Sequence, residues 1–246
     1  GAIYAATEYR RVISRTFANS PYVHFEQNES CPMFTGLVTD VGTIRKAEHR
    51  NGLTRFEVES GYKLDEIDMG ASILHAGVCL TVVDMGEGER GAWFAVDAVP
   101  GTLEKTVLGD WKEGTRVNLE QSLKLGDELG GHFVFGHVDG VGEVVSIEPE
   151  GQSYRLTIRP PAEIARYFAT KGSAAVNGVS LTVADALANG DFQLAIIPHT
   201  WQVTTLADLQ PGSKVNLEID MLARYVARMI GQDAPDGHVP PGATNG

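Results

Sequence analysis

The chain has 246 residues, of which 43% are hydrophobic and 21% are charged, and it carries a net charge of −12. This composition is typical of a soluble globular protein with room for one large or two small domains. The negative charge argues against nucleic acid and anionic membrane surfaces as partners. The sequence contains no apolar run of about 18 residues, so no membrane span is predicted.

The N-terminal extension is followed by a pattern of short strands. Residues 1–32 contain no apolar segment of a signal peptide, and we expect a misassigned leader or an added extension; a transit-type or functional segment is the alternative. Strand composition and length occur at residues 54–58, 92–96, 154–158 and 192–196. Turn clusters such as Asn51-Gly52 and Glu150-Gly151 separate these runs. Strands at this spacing predict a sandwich or a small barrel in each half.

Two helices are predicted in the C-terminal half. A short helix follows Pro160-Pro161, at residues 162–169. The clearer helix lies near the end of the chain, where four apolar residues recur at helical spacing: Leu222, Val226, Met229 and Ile230. Residues 232–246 are rich in Gly, Pro, Asp and Asn without apolar periodicity, and we expect a flexible tail there.

The chain contains nearly the same sequence twice, roughly one hundred residues apart. Gly77–Val82 reads GVCLTV and Gly178–Val183 reads GVSLTV. Further matched segments keep a similar offset: Gly36–Val38 with Gly136–Val138, Val41–Ile44 with Val141–Val144, Val99–Thr102 with Ile197–Thr200, and Val117–Glu120 with Val215–Glu218. The unit is longer than a solenoid repeat of roughly 20–50 residues, so it indicates a duplicated domain. Two similar domains can offer two similar sites.

The repeated strand has one apolar and one polar face. Because side chains alternate along a strand, Leu80 and Val82 are expected in a barrel core, and Cys79 and Thr81 on the opposite face. The second copy repeats the pattern, with Leu181 and Val183 against Ser180 and Thr182. Matched hydroxyl and thiol groups suggest a wall that contacts a flat polar ligand; a solvated strand face is the alternative.

One cysteine and two histidines are candidates for chemistry. A nucleophilic Cys79 would need an activating base, and its matched residue is Ser180, so hydrogen bonding or packing against substrate is the preferred role. His132 and His137 are proton-shuttle candidates without a histidine at the matched positions, Pro32 and Leu37; a structural role is equally open. No metal or dinucleotide motif is found. The two cysteines, Cys31 and Cys79, cannot form a disulfide framework, which favours a reducing, cytoplasmic setting.

Taken together, four motifs resemble the riboflavin synthase family over residues 33–230: Met33–Val38, Gly77–Val82, Gly136–Asp139 and Gly178–Val183. The resemblance implies an all-β fold of two tandem six-stranded Greek-key barrels, similar to flavin-binding barrels, with a C-terminal helix. It implies an N-terminal barrel at 33–129, a C-terminal barrel at 130–220 and a helix at 221–231 that packs in a homotrimer.

The resemblance also implies a reaction. Two molecules of 6,7-dimethyl-8-ribityllumazine dismutate by transfer of a four-carbon unit, giving riboflavin and 5-amino-6-(ribitylamino)uracil. No metal or redox cofactor is implied, because donor and acceptor are the same compound. Each pocket would lie between the N-terminal barrel of one subunit and the C-terminal barrel of its neighbour. Association with lumazine synthase is left open.

The resemblance assigns expected roles to individual residues. His137 is expected to transfer a proton and Ser180 to activate or hold a water or hydroxyl, with three further polar candidates: Cys79, Thr182 and Asp220. Phe34 is expected to close the pocket. The substrate-binding positions implied are Phe34, Gly36, Leu37, Val38, Ser72, Cys79, Leu80, Thr81, Asp97, Ala98, Val99, Pro100, Gly101, Thr102, Gly136, His137, Val138, Lys171, Ser180, Leu181, Thr182, Ala195, Ile196, Ile197, Pro198, His199 and Thr200.

Two positions depart from the family pattern. Ala76 stands where Asn is common and Gly101 where Glu is common. Three other functions remain as alternatives. One is a non-catalytic antenna protein that binds lumazine or flavin. The second is the flavin-binding barrel of an electron-transfer enzyme, which would need a nucleotide-binding domain after it. The third is a purely structural β protein.

Overall fold

The computed structural model describes residues 32–231. Residues 1–31 of the predicted extension and the predicted tail at 232–246 lie outside the described residues. The described part forms two closed six-stranded antiparallel barrels followed by a C-terminal helix, as predicted. Within this part, every helix is too short or too polar to span a membrane.

The first barrel consists of β1 (Asp40–Arg50), β2 (Leu53–Ser60), β3 (Ser72–His75), β4 (Val78–Glu87), β5 (Ala92–Ala98) and β6 (Arg116–Gln121). Around the barrel the strands follow the order β1-β2-β5-β4-β3-β6, and all neighbours are antiparallel. A 3₁₀ helix at Leu64–Glu66 precedes β3. Helix α1 (Pro100–Lys105) and a 3₁₀ helix at Val107–Asp110 connect β5 to β6.

The second barrel consists of β7 (Gly140–Glu150), β8 (Ser153–Arg159), β9 (Ser173–Val176), β10 (Val179–Ala186), β11 (Phe192–Ile196) and β12 (Lys214–Ile219). Its circular order, β7-β8-β11-β10-β9-β12, repeats the first barrel strand for strand, which confirms the duplication. Three helices complete the fold: α2 (Ala162–Ala165), α3 (Pro198–Val203) and α4 (Met221–Met229). A 3₁₀ helix at Thr205–Asp208 follows α3.

The sequence pattern predicted the strands better than the short helix. The four predicted strands lie within β2, β5, β8 and β11. The helix predicted at 162–169 ends at Ala165, because the chain then turns and buries Phe168 against Phe192, with ring centroids 4.2 Å apart. Burying a large apolar side chain contributes about 1.5–3 kcal/mol, which outweighs one more turn of a short helix.

Each barrel has its own apolar core. Phe56, Phe94 and Leu119 are among the fully buried residues of the first core, and Leu156 and Phe192 of the second. Matched β-bulges interrupt the strand register, in β1 and β7 and again in β4 and β10. Bulges bend strands and increase their twist, so the repeated bulges help both sheets close.

Two loops join the barrels by crossing to the opposite one. We name residues 34–38 the first loop and residues 134–138 the second loop. Phe34 and Val134 pair with each other in an antiparallel bridge. Gly36 of the first loop then accepts a hydrogen bond from Ser180 N at 2.8 Å, and Gly136 of the second accepts one from Cys79 N at 3.1 Å. The loop before each barrel therefore packs on the repeated strand of the other.

Two matched asparagines connect the barrels in the same reciprocal way. Asn118 donates to the carbonyl of Asn177 at 2.9 Å and accepts from Thr205 N at 2.8 Å. Asn216 does the same towards the first barrel, where its partners are the carbonyl of Ala76 and the N–H of Val107. These buried hydrogen bonds explain why the Val-Asn-Leu-Glu segment recurs, since each copy fixes the position of the other barrel.

Candidate functional site

The repeated strands present the predicted polar faces. Leu80 and Val82 of β4 lie in the first core, while Cys79 is half-buried and Thr81 is exposed. In β10, Leu181 and Val183 are buried, Ser180 is half-buried and Thr182 is exposed. The alternation therefore leaves two matched rows of small polar side chains open to a ligand.

The structure adds a second strand to each row. Ser72 in β3 pairs with Thr81, and Ser173 in β9 pairs with Thr182. Sequence analysis singled out Ser72 and missed Ser173, although the repeat offset relates the two serines. The predicted Lys171 is exposed just before β9, where its N–H donates to the carbonyl of Val183 at 2.8 Å.

The glycines of the two loops permit their close approach to the strands. Gly36 and Gly136 have φ values of 74° and 75°, which favour glycine. A Cβ on Gly36 would lie 2.5 Å from the Cβ of Ser180, and one on Gly136 would lie 2.5 Å from the Cβ of Cys79. Gly36 and Gly136 are thus brought directly against the other barrel's polar row, while Val38 and Val138 pack against the other barrel's core.

Ser180 is paired with His132, one of the two proton-shuttle candidates from the sequence, although the family resemblance assigned proton transfer to His137. His132 Nδ1 lies 2.7 Å from Ser180 Oγ, and its Nε2 is buried without a hydrogen-bond partner among the described residues. Burial lowers the pKa of His132, against an opposing effect of nearby Asp220. The ring is therefore neutral near pH 7 and able to accept a proton from the serine hydroxyl.

Asp220 lies near this pair, whereas His137 lies in the second loop. Asp220 is the N-cap of α4 and accepts from Leu222 N at 2.9 Å. His137 is exposed in the second loop, where its backbone N–H donates to Glu218 Oε2 at 2.9 Å. His137 thus belongs to the loop that packs on Cys79, whereas His132 belongs to Ser180.

The first barrel lacks the same acid–base groups. At the positions matched to Ser180, His132 and Asp220 stand Cys79, Pro32 and Ser122. The two polar rows are therefore similar in shape and different in chemistry. The second barrel has the Ser180 hydroxyl, the His132 imidazole and the nearby Asp220 carboxylate, whereas the matched positions of the first barrel hold a thiol, a proline and a hydroxyl.

Matched short helices follow β5 and β11, the strands that pair with β4 and β10. Val99 and Ile197 precede α1 and α3, and their side chains are 52% and 57% exposed. Pro100 and Pro198 occupy the first turn of each helix, where a missing N–H costs nothing. Two exposed apolar residues at equivalent positions suit the face of an aromatic ring better than water.

The predicted segments 97–102 and 195–200 differ at their first position. Asp97 forms a bidentate ion pair with Arg55, with N–O distances of 2.7 and 2.9 Å, and this hydrogen bonding lowers the pKa of Asp97. The matched residue on β11 is Ala195. Arg155, the counterpart of Arg55, turns instead to Glu150, with a 2.8 Å contact.

Several predicted residues are placed where their side chains cannot reach a ligand from outside. Phe34 is fully buried between the barrels, in a cluster with Leu74, Val134 and Ala175 that Cys79 packs against. Other predicted positions are buried in the barrel cores: Leu80, Ala98, Leu181 and Ile196. These four would meet a ligand through their main chain. The remaining predicted positions, including Gly101, Thr102, His199 and Thr200, lie on the short helices.

Sequence analysis also missed the two glutamates under the loops. Glu120 accepts from Thr35 N at 2.7 Å and Gly36 N at 2.9 Å. Glu218 accepts from Phe135 N at 2.7 Å and from His137 N. The recurrence of both glutamates in the repeat was the available signal. Among residues 32–231, no group of three or more His, Cys, Asp or Glu side chains is placed to hold a metal ion.

Comparison with known proteins agrees with this duplicated architecture. The family model described as "Lumazine binding domain" matches residues 35–122 and 135–220. A riboflavin synthase from Brucella abortus is 47% identical over 198 residues, covering 80% of this chain and 98% of that protein. A riboflavin synthase from Bacillus subtilis is 36% identical over 201 residues, covering 80% of this chain and 90% of that protein.

A solved structure shares the fold. The crystal structure of LumP complexed with riboflavin superposes with a TM-score of 0.67 at 24% sequence identity, covering 76% of this chain and 98% of that one. At this identity the likeness concerns the fold alone. The two family-model matches and the identity to curated synthases over most of the chain carry more weight. The chain is therefore an enzyme that belongs to the riboflavin synthase family of lumazine-binding-domain proteins.

Proposed function

We propose that the chain is a riboflavin synthase that converts two molecules of 6,7-dimethyl-8-ribityllumazine into riboflavin and 5-amino-6-(ribitylamino)uracil. The observation that carries this proposal is the pair of matched polar rows, on β4 with β3 and on β10 with β9. A transfer between two identical molecules requires two similar sites. Orienting both reactants can contribute about 7–11 kcal/mol to lowering the barrier.

The acid–base step is assigned to the second barrel. The exchange requires the C7 methyl group of one lumazine to lose a proton and a nucleophile to add to the other. Ser180 and His132 supply a hydroxyl and a neutral imidazole 2.7 Å apart, which suits activation of the hydroxyl or of a held water. Asp220 favours the protonated imidazole that this transfer leaves. His137 remains a proposed proton-transfer group beside the row of the first barrel, and Cys79 and Thr182 remain proposed contacts to substrate.

The open geometry of both rows supports an assembly in which another subunit completes each pocket. Thr81 and Thr182 are exposed, as are Val99 and Ile197. An apolar face of α4 and its C-cap residue is exposed as well: Leu222, Val226, Met229 and Ile230. Exposed apolar patches of this kind mark interaction surfaces. We therefore retain the homotrimer as part of the proposal. The barrel boundaries at 129 and 220 and a cytoplasmic location stay part of it as predictions from the sequence.

Turnover of the substrate without added cofactor tests the proposed function. Purified protein mixed with 6,7-dimethyl-8-ribityllumazine should produce riboflavin absorbance with no metal or redox cofactor supplied. Ser180→Ala and His132→Ala should bind the lumazine and form riboflavin about 100-fold or more slowly, as expected for loss of general acid–base catalysis. His137→Ala should also slow turnover.

Two results would argue against the proposal. Binding of the lumazine without riboflavin formation would favour the non-catalytic antenna function. Wild-type rates in both Ser180→Ala and His132→Ala would remove the assignment of the acid–base step to the second barrel. Glu143→Gln, an exposed position on β7, is a suitable control for both measurements.

A further inference from the structure

Two matched carboxylates lie beneath the two loops. Glu120 is buried at the end of β6, and its carboxylate also accepts from Thr35 Oγ1 at 2.7 Å, in addition to two loop N–H groups. Glu218 is buried at the matched position of β12 and accepts from two N–H groups of the second loop. Hydrogen bonds to an ionised acceptor are roughly twice as strong as neutral ones. The conformation of each loop thus depends on one carboxylate.

Each loop contacts the polar row of the opposite barrel. The first loop, held by Glu120 of the first barrel, packs on Ser180 of the second. The second loop, held by Glu218 of the second barrel, packs on Cys79 of the first. Each carboxylate is therefore linked, through one glycine, to the site of the barrel to which it does not belong.

We propose that Glu120 and Glu218 are crossed positioning residues: Glu120 sets the site at Ser180, and Glu218 sets the site at Cys79. This inference rests on the proposed function only for its catalytic consequences. The predicted dependence of each polar row on the opposite barrel's glutamate follows from the contacts alone.

Burial disfavours the ionised form of both carboxylates, whereas the N–H groups of the loops favour it. Burial raises the pKa of Glu218 to about 7, against the N–H groups that lower it, and nearby Asp139 raises it further. Asp139 itself is paired with Arg224 at 2.8 Å. Burial also raises the pKa of Glu120. No cation in the described structure neutralises either glutamate directly, so the loop N–H groups are their principal partners.

Glutamine at these positions preserves size and removes the second acceptor. An amide accepts through one atom only and presents an NH₂ group to the other loop N–H. Glu218→Gln should therefore release part of the second loop without leaving a cavity. Glu120→Gln should do the same to the first loop. Each variant also imitates the protonated carboxyl group at every pH.

Thiol labelling measures the crossed effect without relying on turnover. In full-length protein with Cys31→Ser, the rate at which Cys79 reacts with a disulfide reagent should rise about tenfold in Glu218→Gln and stay unchanged in Glu120→Gln. With Cys31→Ser, Cys79→Ser and Ser180→Cys combined, the thiol at 180 should respond to Glu120→Gln and not to Glu218→Gln. Equal effects, or effects within the same barrel, would overturn the proposal.

Kinetics extend the test to function. Against 6,7-dimethyl-8-ribityllumazine, both glutamine variants should lose about tenfold to a hundredfold in kcat/KM, because small displacements of bound reactants are costly. The wild-type enzyme should lose activity as Glu218 is protonated below about pH 7, and Glu218→Gln should lack this step. Glu143→Gln should match the wild type in rate, pH profile and labelling.

The two parts of the test separate two kinds of failure. If the wild-type protein forms no riboflavin while labelling shows the crossed pattern, the proposed function fails and the positioning roles stand. If riboflavin forms but labelling is unaffected in both glutamine variants, the positioning roles fail and the function stands. Circular dichroism at equal protein concentration verifies that the variants are folded.

Discussion

At the scale of single residues, Ala76 is less well suited to its left-handed backbone conformation than Asn177, its counterpart in the repeat. Ala76 and Asn177 occupy the same turn with φ values of 45° and 46°. Left-handed backbone is unfavourable for most residues by about 1 kcal/mol, and Asn tolerates it better than Ala. Asn177 Oδ1 also accepts from Asn216 N at 2.8 Å, a hydrogen bond that Ala76 has no side chain to form with Asn118.

We therefore expect Ala76→Asn to stabilise the protein by about 1 kcal/mol. The reverse change in the other barrel, Asn177→Ala, should destabilise it by about 1–3 kcal/mol, because it also leaves the buried Asn216 N–H without this acceptor. Urea unfolding midpoints measure both. A lower midpoint for Ala76→Asn would mean that the new side chain clashes with the opposing turn, where Gly77 and Gly178 are in contact.

The partner of His132 illustrates what a single sequence could not identify at this scale. His132 was a proton-shuttle candidate because the matched position holds Pro32, but no local pattern connects it with Ser180, 48 residues further along. The assignment of the pair needed the fold. Ser173, by contrast, could have been found from the repeat, since its counterpart Ser72 had been chosen.

At the scale of secondary-structure elements, α4 presents an apolar face without a partner within the described chain. Leu222, Val226 and Met229 are 72%, 56% and 86% exposed. Val226→Glu should reduce the proposed homotrimer to monomers, because a charge buried between helices without a partner costs several kcal/mol. Light scattering gives the mass, and turnover should fall with it if neighbouring subunits complete the pockets.

A matched control separates association from general effects of a new charge. Leu125→Glu places the same charge on a fully exposed apolar residue of the segment between the barrels. It should leave both mass and activity unchanged. An unchanged mass for Val226→Glu would show that α4 does not hold the subunits together.

The buried face of each strand was easier to predict from the sequence than the contacts between loops and remote strands. The two-residue alternation in β4 and β10 correctly indicated which side chains are buried, because period alone determines the face. It carried no information on which barrel a loop would contact. The crossing of the two loops depends on Gly36 and Gly136 approaching remote strands, a long-range pairing that local periodicity does not encode.

At the scale of the whole molecule, two buried ionisable groups, His75 and Glu218, change the pH dependence of folding stability in opposite directions. Burial lowers the pKa of His75 from 6.5 to about 4, so the unfolded chain binds its proton more tightly and stability rises with pH across that interval. Burial raises the pKa of Glu218 from 4.5 to about 7, so the folded chain binds that proton more tightly and stability falls as pH rises.

The two effects overlap between pH 4.5 and 6.5, and we expect them to cancel largely there. His75→Val, which installs the residue found at the matched Val176, should make stability fall with rising pH by about 1 kcal/mol per pH unit relative to the wild type. Glu218→Gln should give the opposite slope of similar size. Urea unfolding at several pH values measures these slopes, with Glu143→Gln expected to follow the wild type. If the curves of stability against pH were parallel for all four proteins, neither buried group would change its protonation on folding. The opposing effects of His75 and Glu218 would then play no part in the stability of the paired barrels.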